Sequence, residues 1–141
     1  IIRISCEGFS ILLVGDAARE ACRAVLESPN SKDLRDITVF ELPHHGSFRP
    51  DAAALAERVA SQIVLQSTGP IRLVKDKWGG VLVCEQRLVT ARDHACAVLW
   101  KYDGAIWIGR WNGLRYEWSD SGLRREVPQE IKEFDLLEYK R

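Results

Sequence analysis

The sequence predicts an α/β fold in which helices pack on a layered sheet and a run of antiparallel strands follows. Three observations carry that expectation. Apolar strand-like runs alternate with amphipathic helical runs through the first half of the chain. In the second half short apolar runs cluster, and Asp103-Gly104 and Asn112-Gly113 between them are hairpin dipeptides. With 141 residues, 46% of them hydrophobic, the chain is large enough for one real core.

The elements follow in order. Residues 1–16 read as a β-hairpin. Ile2, Ile4 and Cys6 alternate with Arg3 and Ser5, the period of a half-buried strand. Glu7-Gly8 is the turn. The run Phe9 to Val14 is nearly all apolar, as in a central strand covered on both faces, and Gly15 ends it. Residues 17–28 form an amphipathic helix with Ala18, Ala21, Cys22, Val25 and Leu26 on one face, and Ser28-Pro29-Asn30-Ser31 stops it. Residues 36–43 are the next strand and 44–50 a loop. Residues 51–60 are a second helix with Asp51 as its N-cap after Pro50. Residues 62–67 are another buried strand. The stretch Thr68 to Gly80 is irregular, rich in Gly, Pro and charge. Short strands are expected at 81–84, 87–90, 96–102, 105–111 and 114–118. Residues 1–126 are one structural unit, and 127–141 are a C-terminal tail or short helix.

Composition excludes several classes. Twenty basic residues balance twenty acidic ones, so no global field favours bulk nucleic-acid binding and no acidic excess favours disorder. No apolar run is long enough to cross a bilayer, and no secretory leader opens the chain. A soluble fragment of a longer polypeptide is expected. Cys6, Cys22, Cys84 and Cys96 form no Cys-x-x-Cys pair, which argues against a zinc ribbon. They read as buried thiols.

Two places can carry chemistry. Asp16 stands where a buried strand ends and a helix begins, and ligand sites favour the carboxyl ends of strands in open α/β sheets. Its carboxylate can accept a metal ion. Taken alone it reads first as a helix N-cap, though without the reciprocal Glu of a capping box, because Arg19 stands three residues on. The second place is Pro43-His44-His45-Gly46-Ser47. Two of the three histidines of the chain are adjacent there, again just past a strand. Neutral imidazole is the commonest metal ligand. Gly46 permits close backbone approach or a positive φ, and Ser47 can donate to a phosphate oxygen. A surface turn that happens to hold two histidines is the plain alternative.

Strand-Gly-Asp-helix followed by strand-Pro-His-His-Gly-Ser resembles the metallo-β-lactamase-fold domain of ComEC-type DNA-uptake proteins. The motifs stand as "LLVGDA" and "PHHGS" in this sequence. The resemblance implies the C-terminal half of a metallo-β-lactamase-like αββα sandwich over residues 1–126. It implies that Asp16 bridges two divalent ions, zinc or manganese, and that His45 ligates one of them. It gives His44 a supporting role toward substrate or metal and places Ser47 in the substrate site, so that His44 and Ser47 are the catalytic candidates. The fold's main motif, His-x-His-x-Asp-His, does not occur in the chain, nor does a later Gly-His-Pro. One carboxylate and one or two histidines fall short of the three or four protein ligands that zinc needs. The missing ligands are expected N-terminal to Ile1.

By the same resemblance the parent is a bacterial competence protein with a membrane channel elsewhere in the chain, and the domain is a hydrolase that cuts DNA phosphodiesters during uptake. A non-catalytic remnant that binds DNA or a protein partner as a scaffold is the alternative. The remaining residues are weaker candidates. His94 reads as a solvated histidine. Trp100, Tyr102, Trp107, Trp111, Tyr116 and Trp118 fit cross-strand packing better than base stacking. Arg72, Lys75 and Lys77 around Trp78 form the best local basic patch, in a stretch that reads as a solvated loop.

Overall fold

The computed structural model describes residues 1–6, 8–93, 97–102, 104–111, 114–120 and 126–134, with the backbone alone for 36, 97–102, 111 and 132–134. The first sheet has five strands in the order of the sequence: β1 Ile2–Cys6, β2 Phe9–Leu13, β3 Val39–Glu41, β4 Ile63–Gln66 and β5 Gln86–Val89. β1 pairs antiparallel with β2, and every later pairing is parallel. Each parallel step requires a crossover. Helix α1 Arg19–Glu27 and the 3-10 stretch Pro29–Asp36 link β2 to β3, and helix α2 Pro50–Val59 links β3 to β4. The single helical turn α3 Pro70–Leu73 and a 3-10 turn Trp78–Gly80 lie between β4 and β5. A second sheet follows, β6 Ala97–Tyr102, β7 Ala105–Trp111 and β8 Tyr116–Asp120, all antiparallel, and then helix α4 Gln129–Phe134.

Register sorts the core into layers. Leu12, Phe40 and Val64 stand side by side across β2, β3 and β4, so they share one face. That face closes on the helices, with Cys22 of α1 and Ala52, Leu55, Ala56 and Val59 of α2 in the same buried cluster. Ile11, Val39 and Ile63 are the neighbouring row and point the other way. They cluster with Ile106 and Ile108 of β7, which places the second sheet on the opposite face. Ala105 and Trp107 of β7 alternate outward and bury Ile131 of α4. The layers therefore run helices, sheet, sheet, helix. Of the segment expected to be a tail or short helix, the described part contains the short helix Gln129–Phe134, and Ile131 is fully buried.

Several expectations are corrected. β1 forms, but all five of its residues are exposed, Ile2 at 60% and Ile4 at 52%. Ile2 pairs with Leu13 and Ile4 with Ile11, so both point to the face where the second sheet packs, at an edge that nothing covers among the described residues. Cys6 on the same strand is exposed rather than buried, whereas burial pushes the Cys22 and Cys84 thiols above their ordinary pKa. The stretch 81–84 is not a strand, and Val83 is 89% exposed. Asp51 is not an N-cap. Arg49 takes that position and Pro50 is the first helical residue. The Asp51 carboxylate instead ties α2 to α1, 2.7 Å from Arg23 and 3.4 Å from Arg19. His94, Cys96 and the Asn112-Gly113 turn lie outside the described residues, as do the side chains of Trp100, Tyr102 and Trp111. Of the first hairpin dipeptide Gly104 is described, with φ at +69°.

The contact between the sheets is testable at Ile108, which is fully buried in the inter-sheet cluster. Replacing Ile108 by Ala is expected to cost about 2–4 kcal/mol in urea unfolding. A loss under about 0.5 kcal/mol, the size of a surface change, would show that the sheets do not pack through this row.

Candidate functional site at the carboxyl edge of the parallel strands

β2, β3 and β4 are parallel and end on the same edge, so the chain leaving each one meets its neighbours there. After β2 come Val14, Gly15 and Asp16. After β3 comes Pro43–Ser47. The expected loop at 44–50 begins as a tight turn in which three consecutive residues are left-handed, His44 at φ +50°, His45 at +57° and Gly46 at +74°. Left-handed backbone costs a residue with a side chain about 1–2 kcal/mol. Two adjacent histidines in that state require surroundings that hold them.

Those surroundings can be traced atom by atom. Glu41, the last residue of β3, accepts the amides of Val14 at 3.1 Å and Gly15 at 3.0 Å through Oε2. The Gly15 carbonyl in turn accepts the His44 amide at 2.8 Å. One peptide after β2 is thus held from both sides by residues that follow or end β3. Pro43 fixes the entry, and the Ser47 amide closes the turn on the His44 carbonyl at 3.0 Å. Arg72 donates to that same carbonyl at 3.0 Å.

Beneath the turn, Gly46 rests on Gln66. A Cβ on Gly46 would lie 2.6 Å from the Gln66 side chain, so only glycine fits. Gln66 ends β4 and is 2% exposed. Arg87 of β5 grips its Oε1 through both Nε and Nη2. Asp76 holds Arg87 in turn, 2.9 Å from Nη1 and 2.5 Å from Nη2. Trp78, fully buried, donates Nε1 to the Gly46 carbonyl at 2.7 Å. Phe48 packs edge-on against Trp78 with ring centroids 5.1 Å apart.

The outcome is that His45 Nε2 stands 3.2 Å from Asp16 Oδ1. The two metal-ligand candidates are therefore neighbours, brought together from separate crossovers. Asp16 does not cap α1. Ala18 occupies the cap position with no side-chain hydrogen bond, and the Asp16 side chain is 74% exposed. His45 is 54% exposed. The two histidine rings are nearly perpendicular, with centroids 6.2 Å apart, so they serve different directions. His44 is half-buried, and its Nδ1 atom is buried without a hydrogen-bond partner among the described residues. Ser47 is half-buried beside them. Among the described residues no group of three or more His, Cys, Asp or Glu side chains is arranged to hold a metal ion.

Sequence reasoning missed the supporting residues Glu41, Gln66, Asp76 and Arg87. Glu41 and Gln66 did leave a signal: each is a polar residue closing an apolar strand run, "VFE" and "IVLQ".

Two outcomes follow from this geometry. Gly46→Ala is expected to destabilise by about 2 kcal/mol or more, the left-handed term plus the clash. Gln66→Ala in the same chain should recover the clash part and leave the left-handed part, a non-additive cycle. Strictly additive losses in urea melts would reject the contact. The second outcome concerns acid. Arg87's hydrogen bonds hold the Asp76 carboxyl below the ordinary carboxylate value. The stability this contributes is complete above about pH 4, the unfolded value, and is lost as pH falls through the lower folded value. Asp76→Asn should lower stability at neutral pH and flatten the acid limb. An acid limb of unchanged slope in that variant would rule the assignment out. Comparisons with protein-family models, with curated proteins and with solved structures found no match to this chain.

Proposed function

We propose that this chain supplies part of the active centre of a metal-dependent hydrolase, a phosphodiesterase or nuclease acting on DNA during uptake in competence. The domain would be the C-terminal half of a metallo-β-lactamase-like sandwich, attached to a bacterial membrane protein that carries a channel. The observation that carries the proposal is the approach of His45 Nε2 to Asp16 Oδ1 at 3.2 Å across two separate crossovers. An exposed pair of this kind contributes about 0–1 kcal/mol. The left-handed turn that presents His45 costs more than that. The pair's own stability therefore does not repay the strain of the turn, which supports a ligand-binding reading.

In this reading Asp16 and His45 are metal ligands for zinc or manganese, while His44 and Ser47 face substrate. When bound, a pair of divalent ions supplies an activated water and charge neutralisation at a phosphodiester. Asp16 and His45 do not form a complete set for such a centre, since catalytic zinc takes three protein ligands. The remaining ligands are placed outside these 141 residues. The chain's own contribution is to hold one carboxylate and one imidazole side by side at the strand ends.

The shortage of ligands favours a second reading, a non-catalytic module that binds DNA or a protein partner as a scaffold. No helix among the described residues is long and apolar enough to cross a membrane.

Metal content and hydrolysis of linear DNA by the parent domain separate these readings. Asp16→Asn and His45→Ala are each expected to lower metal-dependent kcat/KM by about a hundredfold or more, with unchanged circular dichroism. Unchanged activity in both variants would remove these residues from the site. DNA binding by a parent domain with neither metal nor activity would favour the scaffold.

A further inference from the structure

We propose that the excursion over residues 69–83, between β4 and β5, is a docking element for an anionic lipid bilayer surface. This goes beyond the proposed hydrolase and does not rest on it. The excursion carries Ile71 at 86%, Val74 at 87% and Val83 at 89% exposure. Side chains that open touch almost nothing of their own protein and stand clear of the surface. Isolated exposed aliphatics need no explanation, but several on one short connection do. Ile71 and Val74 are three residues apart on α3 and its continuation and so share a face.

The segment is anchored, not loose. Trp78 sits in its middle, fully buried, with Nε1 on the Gly46 carbonyl. The amides of Val81 and Leu82 both return to the Trp78 carbonyl at 3.0 Å. Its charge is one-sided. Residues 69–83 contain Arg72, Lys75 and Lys77 against a single carboxylate, Asp76. That carboxylate is turned inward onto Arg87 and is 17% exposed. What the excursion shows to its surroundings is aliphatic and cationic.

That combination selects the partner. A nucleic acid would use the cations but gains nothing from isoleucine and valine, and single strands are held by stacking on aromatic rings. The aromatic side chain in this segment, Trp78, is buried. A globular protein would need matching pockets for side chains that protrude singly. An anionic bilayer accepts both features, since aliphatics enter the headgroup boundary and lysines meet phosphatidylserine.

The test uses the 141-residue chain in vesicle co-sedimentation. Binding to mixed phosphatidylserine–phosphatidylcholine vesicles is expected to exceed binding to phosphatidylcholine alone, and to fall as salt is raised. The double variant Ile71→Ser with Val74→Ser should lower partitioning by about tenfold or more. Lys75→Glu with Lys77→Glu should lower it by at least roughly twenty-five-fold, about fivefold for each cation removed. Both pairs are exposed, so circular dichroism should not change in either variant. No binding to any vesicle overturns the proposal, as does binding that both double variants keep. It is equally overturned if the chain ignores vesicles and binds a single-stranded oligonucleotide that only the lysine variants lose. Self-association abolished by the serine variants, without vesicle binding, also overturns it.

Discussion

The carboxyl edge of the sheet depends on the volume that Gly46 leaves empty. Because no side chain stands there, the turn after β3 can lie directly on Gln66 at the end of β4. Because its backbone is left-handed, the turn can reverse within Pro43–Gly46 and return the His44 amide to the Gly15 carbonyl. That bond joins the crossover after β2 to the crossover after β3, and so sets where Asp16 lies relative to His45. Trp78 and Gln66 support the glycine from two different elements. The site is thus a consequence of close backbone packing, and its two chemically interesting residues contribute little to holding it.

The magnitudes support that order of cause. Asp16 and His45 are more than half exposed, where an ion pair is worth about 0–1 kcal/mol. The hydrogen bonds that surround the turn are better placed. Asp76 and Arg87 are less than a fifth exposed and bond through paired atoms, the geometry in which charge-assisted bonds are strong. Arg87 passes that fixed position to Gln66, and Gln66 passes it to Gly46. Removing one partner of such a chain leaves a buried polar group unmatched, which costs more than the bond itself returned. The strained histidines persist because this buried network over-determines them.

Legibility in the sequence divided along the same physical line. β2, β3, β4 and the helices α1 and α2 were legible because apolar runs and helical periodicity are local signals. The two motifs were legible because Gly15-Asp16 and Pro43–Ser47 each sit at a strand end. What periodicity cannot say is whether anything covers the face it defines. Ile2 and Ile4 alternate correctly and are still exposed, since no described residue covers the β1 edge. Nor can it pair distant polar residues. Gln66 and Arg87 are 21 residues apart and are brought together by the parallel pairing of β4 with β5, while Asp76, 11 residues before Arg87, meets it from the connection between those strands. The stretch 81–84 looked like a strand by composition alone. Its alternating valines lie outside the sheet, because the Trp78–Gly80 turn draws the chain away before β5 begins.

The same turn connects the two surfaces that the fold presents. Trp78 supports Gly46 from within, and the residues on either side of it carry the exposed aliphatics and lysines. Arg72, from the excursion, reaches back to the His44 carbonyl. Residues 69–83 and the turn that presents His45 are therefore joined by one indole and one guanidinium. Coupling between two sites requires contacts that differ between two states. Here the structure gives the contacts of one state, an indole on the Gly46 carbonyl and a guanidinium on the His44 carbonyl, so what the two surfaces share is a common anchor at the turn.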